Sequence, residues 1–505
     1  MIKGPIMDRR IYLTVFICAF LVLSLAHSVQ APQLTEPDFA AIDAYVETQM
    51  REGRIPGVAL GITRGNQIVH LRGFGVADPS GRPVTPQTPL IIGSLSKSFT
   101  ALAVMQLVEE GKIELDAPVQ RYIPWFSVAD PDASTRITVR HLLYHTSGIP
   151  NSAGLWVAAG TGETTLEQRI REMNSIALAH PPGTTFEYSN ANYMLLGLLV
   201  QTLSGQSYEA YVRQHIFTPL AMQNSFVSQS EAMQHGMATG YRWWFGVPFP
   251  ANVPYLQDAL PAGYIISSAE DMTRFLIVNL NEGRYGNVSV LSPAGIAELH
   301  RPAVKAGGED YYGMGWVIGS TSGTPILTHS GDAANFHADV ILVPGEQWGI
   351  VVLTNVANML APLSGSVRIA EGVTNLLLGR QPSGAGLSFG TLYLIVDVVV
   401  LLLTALLIRS IVLLPRWRRQ LIERRPRRLL GFLWHVILPT LVDLAWPLIL
   451  LIILPMGAGF PLWPIMALFQ PDLTYWLMAM ALVTLAKGII RPVLAFSVFR
   501  VASKA

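Results

Sequence analysis

The ten residues from Ile91 to Thr100, IIGSLSKSFT, lead into an apolar, alanine-rich run with the pattern of a helix. Residues three apart share one helix face, so Ser94 and Lys97 are expected to point the same way from the first turn. A hydroxyl beside an amine can serve as a nucleophile beside its base. A helix-capping serine followed by a solvated lysine is the alternative, and this motif alone favours that alternative.

Two later motifs supply possible partners for this pair. A serine hydroxyl is a weak nucleophile, so it needs a base within reach and donors for the developing oxyanion. The segment PPGTTFEYSNANY contains Tyr188 and Asn190, and ILTHSGDAANFHADVILVPG contains His329 at the expected edge of a strand. Each has an ordinary alternative: a half-buried turn aromatic, a turn former and a strand histidine. The order of the three motifs along the chain therefore matters more than any one of them.

The arrangement of helices and strands predicts an α+β domain. GVALGITRGNQIVHLRGFG has the pattern of a β-hairpin turning at Arg64 to Asn66, while HADVILVPG and GIVVLTNV indicate strands late in the domain. Helical patterns such as NYMLLGLLVQTLSG dominate the region between them. We therefore predict an antiparallel sheet built from both ends of the domain, with a helical subdomain inserted beside it.

The chain resembles the serine β-lactamase and penicillin-binding superfamily, in its class C β-lactamase and DD-peptidase branch. The three motifs that carry the resemblance are, in order, Ser94-x-x-Lys97, Tyr188-x-Asn190 and His329-x-Gly331. Flanking segments such as ITVRHLLYHTSGI and PAGYIISSAEDMTRF are also similar to that superfamily, and the likeness covers about residues 39 to 378. The resemblance implies a β-lactamase/transpeptidase-like fold and a serine hydrolase.

The resemblance also implies roles for individual residues. Ser94 would be the acylated nucleophile, and its backbone N–H would be one oxyanion donor. Lys97 and Tyr188 would share proton transfer, with Tyr188 a phenolate if nearby cations lower its pKa from about 10. Asn190 would hydrogen-bond the substrate amide or the lysine. The backbone N–H of Asp332 would be the second oxyanion donor.

The third motif departs from the pattern of many relatives. His329, Ser330 and Gly331 would contact the substrate, but many members have Lys-Thr-Gly there, with the lysine meeting a substrate carboxylate. A histidine with a reference pKa of about 6.5 would be only a partial cation at pH 7. The following segment, GDAANF, replaces a glycine-rich turn, and Asp332 adds negative charge near the oxyanion.

Both ends of the chain carry membrane-targeting patterns. Residues 1–28 have basic residues followed by an apolar run and predict a signal peptide, with an uncleaved anchor as the alternative. Cys18, the sole cysteine of the chain, falls in this run, so no disulfide or thiolate site is expected beyond it. The hydrolase domain is predicted at residues 36–379, a linker at 380–390, and a membrane region with about three transmembrane helices at 391–505.

The predicted spans run from Thr391 to Leu414, from Leu429 to Leu454, and from Leu473 to Lys487 or further. The intervening loop, residues 415–428, holds seven arginines and one glutamate, so the positive-inside rule predicts that it and the C-terminus are cytoplasmic. The hydrolase domain would then lie outside the cytoplasm of a multi-pass membrane protein. Asp397 and Asp443 lie within apolar runs, where helix packing or ion pairing near the membrane boundary is favoured over an ion path.

Charge distribution supports a membrane protein over a nucleic-acid-binding one. Of 35 Lys and Arg residues, 15 lie before residue 27 or after residue 390, whereas 29 of the 34 Asp and Glu residues lie between. No arginine-rich patch interleaved with aromatics occurs in the acidic middle, so no nucleic acid partner is expected. His141 and His145 lie four apart without a defensible metal spacing and are expected to be structural, and neither metal nor cofactor is predicted.

Two functions follow as hypotheses. The first is an extracytoplasmic, membrane-tethered serine hydrolase that forms an acyl-enzyme on a small peptide, amide, ester or β-lactam. The second is a catalytically idle sensor that binds a ligand in the same cleft and signals through the membrane helices. Retention of Ser94, Lys97 and Tyr188 together favours the hydrolase. The expected partners are such a substrate and the lipid bilayer, and the sequence leaves the oligomeric state open.

Overall fold

The computed structural model describes residues 37–158, 164–252, 254–360, 368–382, 387–424, 429–458 and 460–502. The predicted signal peptide at residues 1–28, with Cys18, and residues 383–386 of the predicted linker lie outside the described residues.

An eight-stranded antiparallel sheet forms the frame of the region that precedes the C-terminal helices. The strands are β1 Gly57–Arg64, β2 Gln67–Gly75, β3 Leu90–Ile91, β4 Tyr241–Trp244, β5 Val247–Pro250, β6 Ile266–Ser267, β7 Arg284–Tyr285, β8 Val288–Ser289, β9 Val304–Gly307, β10 Asp310–Tyr312, β11 Val317–Thr321, β12 Thr324–Ala333, β13 Phe336–Val343 and β14 Trp348–Thr354. The large sheet has the order β2-β1-β14-β13-β12-β11-β10-β9. Since β1 pairs directly with β14, the sheet joins both ends of the domain, as the sequence predicts.

Helices occupy the region between the early and late strands. They are α1 Phe39–Gly53, α2 Ser96–Glu109, α3 Pro131–Ser134, α4 Val139–Leu143, α5 Asn151–Ala158, α6 Leu166–Arg171, α7 Asn190–Ser204, α8 Tyr208–Val212, α9 Gln229–Gln234, α10 Leu260–Gly263, α11 Ala269–Leu280, α12 Pro293–Leu299 and α13 Ile369–Leu377. Short 3₁₀ turns lie at Gly93–Leu95, Val119–Arg121, Glu172–Ser175, Gln257–Ala259 and Pro344–Glu346, and a π-helical turn at Arg213–Phe217.

Helix α2 runs through the middle of this helical layer. Phe99 stacks on Phe275 of α11 with ring centroids 3.9 Å apart and meets Phe217 edge-on at 5.9 Å. Most residues of α2 are buried, which explains why its sequence is apolar on every face instead of along one stripe. The residues at its N-terminal end are therefore held by a packed core.

Two glycines let the start of this helix touch the sheet. Gly93 has φ of +54°, and a Cβ there would lie 2.5 Å from the backbone nitrogen of Asp332. A Cβ on Gly331 of β12 would lie 2.0 Å from the carbonyl oxygen of Ile92. Side chains at either position would push the turn and the strand apart, so glycine is required at both.

The C-terminal region consists of helices. They are α14 Phe389–Val412, α15 Leu414–Arg424, α16 Leu429–Phe432, α17 Leu438–Leu448, α18 Leu454–Ala458, α19 Leu462–Phe469 and α20 Pro471–Ala502, with π-helical turns at Leu433–Ile437 and Ile449–Ile453. Helix α15 is rich in arginine, whereas the others are mainly apolar. Within the described residues, three helical stretches are long and apolar enough to cross a membrane: Phe389–Val412, Leu433–Ala458 and Pro471–Ser497, of 24, 26 and 27 residues.

A buried ion cluster joins these three stretches. Asp443 pairs with Lys487 at 2.9 Å and with Arg491 at 3.1 Å, and the Nζ of Lys487 also donates to the hydroxyl of Ser410 at 2.9 Å. Asp443 is thus ion-paired, which is one of the two arrangements that its sequence position favours. Lys487 and Arg491, the two basic residues of the stretch Pro471–Ser497, are thus ion-pair partners inside the helix bundle.

Candidate active site

Ser94 lies in the 3₁₀ turn Gly93–Leu95 that leads into α2. The residues at the N-cap positions of this turn and of α2 are Ile92 and Leu95, so Ser94 caps neither element. The helix-capping interpretation of Ser94 is therefore wrong. Its hydroxyl faces the cleft between the helical layer and β12 instead.

Lys97 is fully buried behind Ser94, and the solvated-lysine interpretation is wrong too. Its Nζ lies 3.0 Å from Ser94 Oγ, 2.7 Å from Asn190 Oδ1 and 2.6 Å from the carbonyl oxygen of Ala262. All three partners are uncharged. Because burial removes water without supplying a counter-ion, it lowers the pKa of Lys97 well below its ordinary value.

These contacts orient Lys97 in either protonation state. The oxygens of Asn190 and Ala262 can only accept, so they take two hydrogens of Nζ. A protonated amine donates its third hydrogen to Ser94 Oγ. Once the amine is neutral, its lone pair takes that place and can accept the proton of the Ser94 hydroxyl. The geometry thus orients a base towards the serine.

Tyr188 lies on the other side of the serine. Its hydroxyl is hydrogen-bonded to Ser94, and Lys97 Nζ lies 4.8 Å from the centre of its ring. Burial raises the pKa of Tyr188, the hydrogen bond to Ser94 offsets part of this, and Asp332 adds to the rise. The phenolate predicted from the sequence is therefore wrong: burial keeps Tyr188 a phenol, which is able to donate a proton.

His329 of the third motif is buried and fully engaged. Its Nδ1 donates to the carbonyl oxygen of Ser330 at 2.7 Å, and its Nε2 accepts from the hydroxyl of Tyr312 at 3.2 Å. Burial lowers its pKa to about 4. The partial cation predicted at pH 7 is thus wrong, since the ring is neutral there.

The turn carrying Ser94 and the strand carrying Gly331 bring two backbone amides to one junction. A Cβ on Gly331 would lie 2.9 Å from the backbone nitrogen of Ser94, and one on Gly93 would lie 2.5 Å from that of Asp332. The backbone amides of Ser94 and Asp332, which are predicted to donate to the oxyanion, therefore lie where the turn meets the strand, next to the Ser94 side chain.

The cleft in front of Ser94 has a volume of about 590 Å³. Its wall is aromatic, and its floor is the third motif. The lining residues are Ser94, Phe186, Tyr188, Ala306, Gly307, Asp310, Tyr312, Val317, His329, Ser330 and Asp332. The charged side chains in this lining are two aspartates. In the described part of the cleft, therefore, no cationic side chain is placed to bind a substrate carboxylate.

Several residues at the site escape sequence reasoning. The Ala262 carbonyl and Tyr312 are brought in by the tertiary fold, although Tyr312 lies in YYGMGW, an aromatic and glycine-rich stretch that could have drawn attention. His145 packs 4.5 Å from the Tyr188 ring, and its Nδ1 accepts from Asn192 Nδ2 at 3.0 Å. His145 thereby supports Tyr188, whereas His141 belongs to the capping box of α4.

Comparison with known proteins identifies the family. The family model described as Beta-lactamase matches residues 42–366. The chain belongs to this family. The match confirms the superfamily and the α+β, β-lactamase-like fold predicted from the sequence, and the family includes serine hydrolases.

Individual relatives support the same assignment. Protein flp of Staphylococcus aureus (strain MW2) is 29% identical over 335 residues, 65% of this chain, and the chain spans 66% of its length, just under two thirds. Penicillin-binding protein 4 of Amycolatopsis lactamdurans is 31% identical over 314 residues, which cover 60% of this chain and 82% of that protein.

Solved structures agree. The octameric penicillin-binding protein homologue from Pyrococcus abyssi is 30% identical with a TM-score of 0.60, over 68% of this chain and 78% of that one. EstCE1, a hydrolase with promiscuous acyltransferase activity, is 23% identical with a TM-score of 0.55, over 62% and 92% respectively. The likeness to EstCE1 is one of fold alone.

Proposed function

We propose that this protein is a membrane-tethered serine hydrolase that works through an acyl-enzyme on Ser94. The observation that carries the proposal is the surroundings of Lys97, whose amine is buried among neutral acceptors and is 3.0 Å from the Ser94 hydroxyl. A sensor that only binds a ligand needs no base beside the serine. The arrangement supports nucleophilic catalysis.

In the acylation step, Lys97 Nζ takes the proton of the Ser94 hydroxyl while Oγ attacks the substrate carbonyl carbon. The C=O π electrons move onto oxygen, and the backbone N–H groups of Ser94 and Asp332 hydrogen-bond the resulting oxyanion. The tetrahedral intermediate then collapses, and the bond to the leaving group breaks. Tyr188 donates its phenolic proton to that leaving group and regains one from the ammonium of Lys97. Water hydrolyses the Ser94 ester to free the serine.

The cleft favours substrates without a carboxylate next to the scissile bond. Burial lowers the pKa of His329 to about 4 and that of Lys97 well below its ordinary value, and the charged lining consists of Asp310 and Asp332. A free D-alanyl carboxylate would meet these aspartates, and no lysine or arginine side chain lines the described cleft to pair with it. We therefore favour neutral esters or amides over D-alanyl peptides and β-lactams, which carry that carboxylate.

The membrane arrangement is part of the proposal. The basic loop at residues 415–428 would be cytoplasmic together with the C-terminus, and the hydrolase domain at residues 36–379 would face the outside, following a signal peptide or anchor at 1–28 and joined by the linker at 380–390. Three apolar helices of spanning length support this topology.

Intact-mass spectrometry of the full chain in detergent tests the chemistry. The protein is exposed to a fluorophosphonate and, separately, to a penicillin, with Ser94→Ala as the matched control. We expect a phosphonate adduct that Ser94→Ala lacks, and a weak or absent penicillin adduct. A folded protein with no Ser94-dependent adduct from either reagent would contradict the hydrolase.

A sensor is the second candidate, favoured by contacts between the hydrolase region and the membrane helices. The hydroxyl of Tyr393 on α14 accepts hydrogen bonds from Asn358 Nδ2 at 2.6 Å and Gln470 Nε2 at 3.1 Å. The backbone N–H of Phe245 donates to Asp472 of α20 at 3.0 Å. If no adduct forms, these contacts make signalling the better hypothesis.

A further inference from the structure

His337 lies between two carboxylates beside the third motif. Its Nδ1 is 2.8 Å from Asp332 Oδ1, and its Nε2 is 2.9 Å from Asp339 Oδ2. His337 pairs with Asp332 across the β12–β13 ladder, and Asp339 accepts a hydrogen bond from the Ser330 hydroxyl. The His337 ring therefore holds Asp332 directly and is linked to Ser330 of the third motif through Asp339.

The position of Asp332 raises an electrostatic problem for the proposed reaction. Its backbone N–H is to stabilise an oxyanion, yet Asp332 also carries a carboxylate only a few bonds from that amide. Like charges a few ångströms apart repel each other, and because the Asp332 side chain is 54% exposed, solvent screens part of this repulsion. An uncompensated carboxylate here would oppose the charge that develops in the transition state.

We propose that His337, as an imidazolium held between Asp332 and Asp339, is a positioning residue that neutralises the Asp332 carboxylate and fixes its orientation, so that the neighbouring backbone amide can stabilise the oxyanion. This inference rests on the proposed function. It assigns a role in catalysis to a side chain outside the three sequence motifs.

The groups around His337 favour the charged ring. Both ring nitrogens face carboxylate oxygens, which accept but cannot donate, so each nitrogen carries a proton. Arg368 and Glu371, at the start of α13, line the same cavity of about 440 Å³ beside Asp332 and Asp339, and they lie 3.8 Å apart as an ion pair. Burial lowers the pKa of His337, but the attraction of Asp339 and Asp332 outweighs this effect and raises the pKa well above its ordinary value.

This role gives the reaction an alkaline limit. Below its raised pKa the ring is charged and compensates Asp332. As the pH rises through that pKa the ring loses its proton, and the Asp332 charge opposes the oxyanion. The rate of Ser94 acylation should therefore fall at alkaline pH. A variant without the Asp332 charge should not show this fall.

The test is a double-mutant cycle on the full chain, with a neutral fluorophosphonate as probe of Ser94. His337→Asn should slow phosphonylation at pH 7 by about ten- to a hundredfold, because the asparagine cannot carry charge. Asp332→Asn keeps the backbone amide and should lose the alkaline fall. The double variant should recover to within about threefold of Asp332→Asn.

The outcomes separate the inference from the proposed function. If His337→Asn labels as fast as the wild type, or the double variant stays as slow as His337→Asn, the inference is overturned while the hydrolase stands. If His337→Asn does not fold, an unchanged alkaline fall in Asp332→Asn overturns it equally. If the wild type shows no Ser94-dependent labelling, the proposed function fails, and the inference with it.

Discussion

Two lysines in the described part of the chain are buried, and their surroundings make them chemically different. Lys97, at the start of α2, is fully buried among a hydroxyl, an amide oxygen and a carbonyl oxygen. Lys487, in the C-terminal helix α20, is 8% exposed and pairs with Asp443 at 2.9 Å. The first has no counter-ion among its hydrogen-bond partners, whereas the second has a carboxylate.

The difference decides what each lysine can do. A buried amine without a counter-ion lowers its free energy by releasing its proton, and it then has a lone pair for a neighbouring hydroxyl. A buried amine bonded to a carboxylate holds its partners together, and removing one partner leaves the other buried without its counterpart. Lys97 is therefore suited to act as a base, and Lys487 to join helices.

Exchanging each lysine for methionine should break this comparison most clearly. We expect Lys97→Met to lower the rate of fluorophosphonate labelling by more than about a thousandfold, because the nucleophile loses its base. Lys487→Met should label within about twofold of the wild type, since its site has no part in the chemistry. Equal losses in both variants, measured on folded protein, would contradict the distinction.

Removing the carboxylate of the buried ion cluster tests the structural role that the comparison gives to Lys487. Asp443→Asn leaves Lys487 and Arg491 without a counter-ion in an apolar bundle, which should cost about 3 kcal/mol of stability. Thermal unfolding of the full chain in detergent measures this loss. An unchanged unfolding temperature would mean that the cluster does not hold the helices together.

In the proposed mechanism Lys97 is the base and Tyr188 is the acid, and a variant of Tyr188 tests this division of roles. Tyr188→Phe keeps the ring beside Lys97 but removes the proton donor, so hydrolysis of esters with poor leaving groups should slow by about a hundredfold. Esters with good leaving groups need little protonation and should be affected much less. An equal loss for both kinds of ester would show that Tyr188 acts instead as the base.

The smallest expected effect concerns substrate choice. His329→Lys places a cationic side chain in the cleft and should improve kcat/KM for carboxylate-bearing esters relative to neutral ones by about tenfold. The ratio of kcat/KM values for a matched pair of such esters measures it. An unchanged ratio would mean that position 329 does not face the substrate carboxylate.

The sequence predicts the frame of the site well. The Ser94 and Lys97 spacing depends only on helix geometry, and the order of the three motifs identifies the superfamily. Alternation and apolar runs likewise locate β1 and β14, so a sheet built from both ends of the domain is predictable. These are local patterns, which a single sequence carries.

The electrostatics of the site is much less predictable. The protonation of Lys97 depends on the Ala262 carbonyl, which approaches from 165 residues away. The expected phenolate at Tyr188 and partial cation at His329 both assumed solvent or cations that burial removes. The contacts of His337 with both Asp332 and Asp339 follow from the register of two strands, which the motif letters do not specify.

The most direct test of the central claim is the pH dependence of fluorophosphonate labelling at Ser94. If Lys97 is a neutral base, the second-order rate constant lies on its plateau at pH 7, falls towards acid pH and does not rise towards alkaline pH, because the reagent itself does not titrate. A rate constant that instead rises about tenfold per pH unit between pH 7 and 9 would show an ordinary, protonated lysine and contradict the claim.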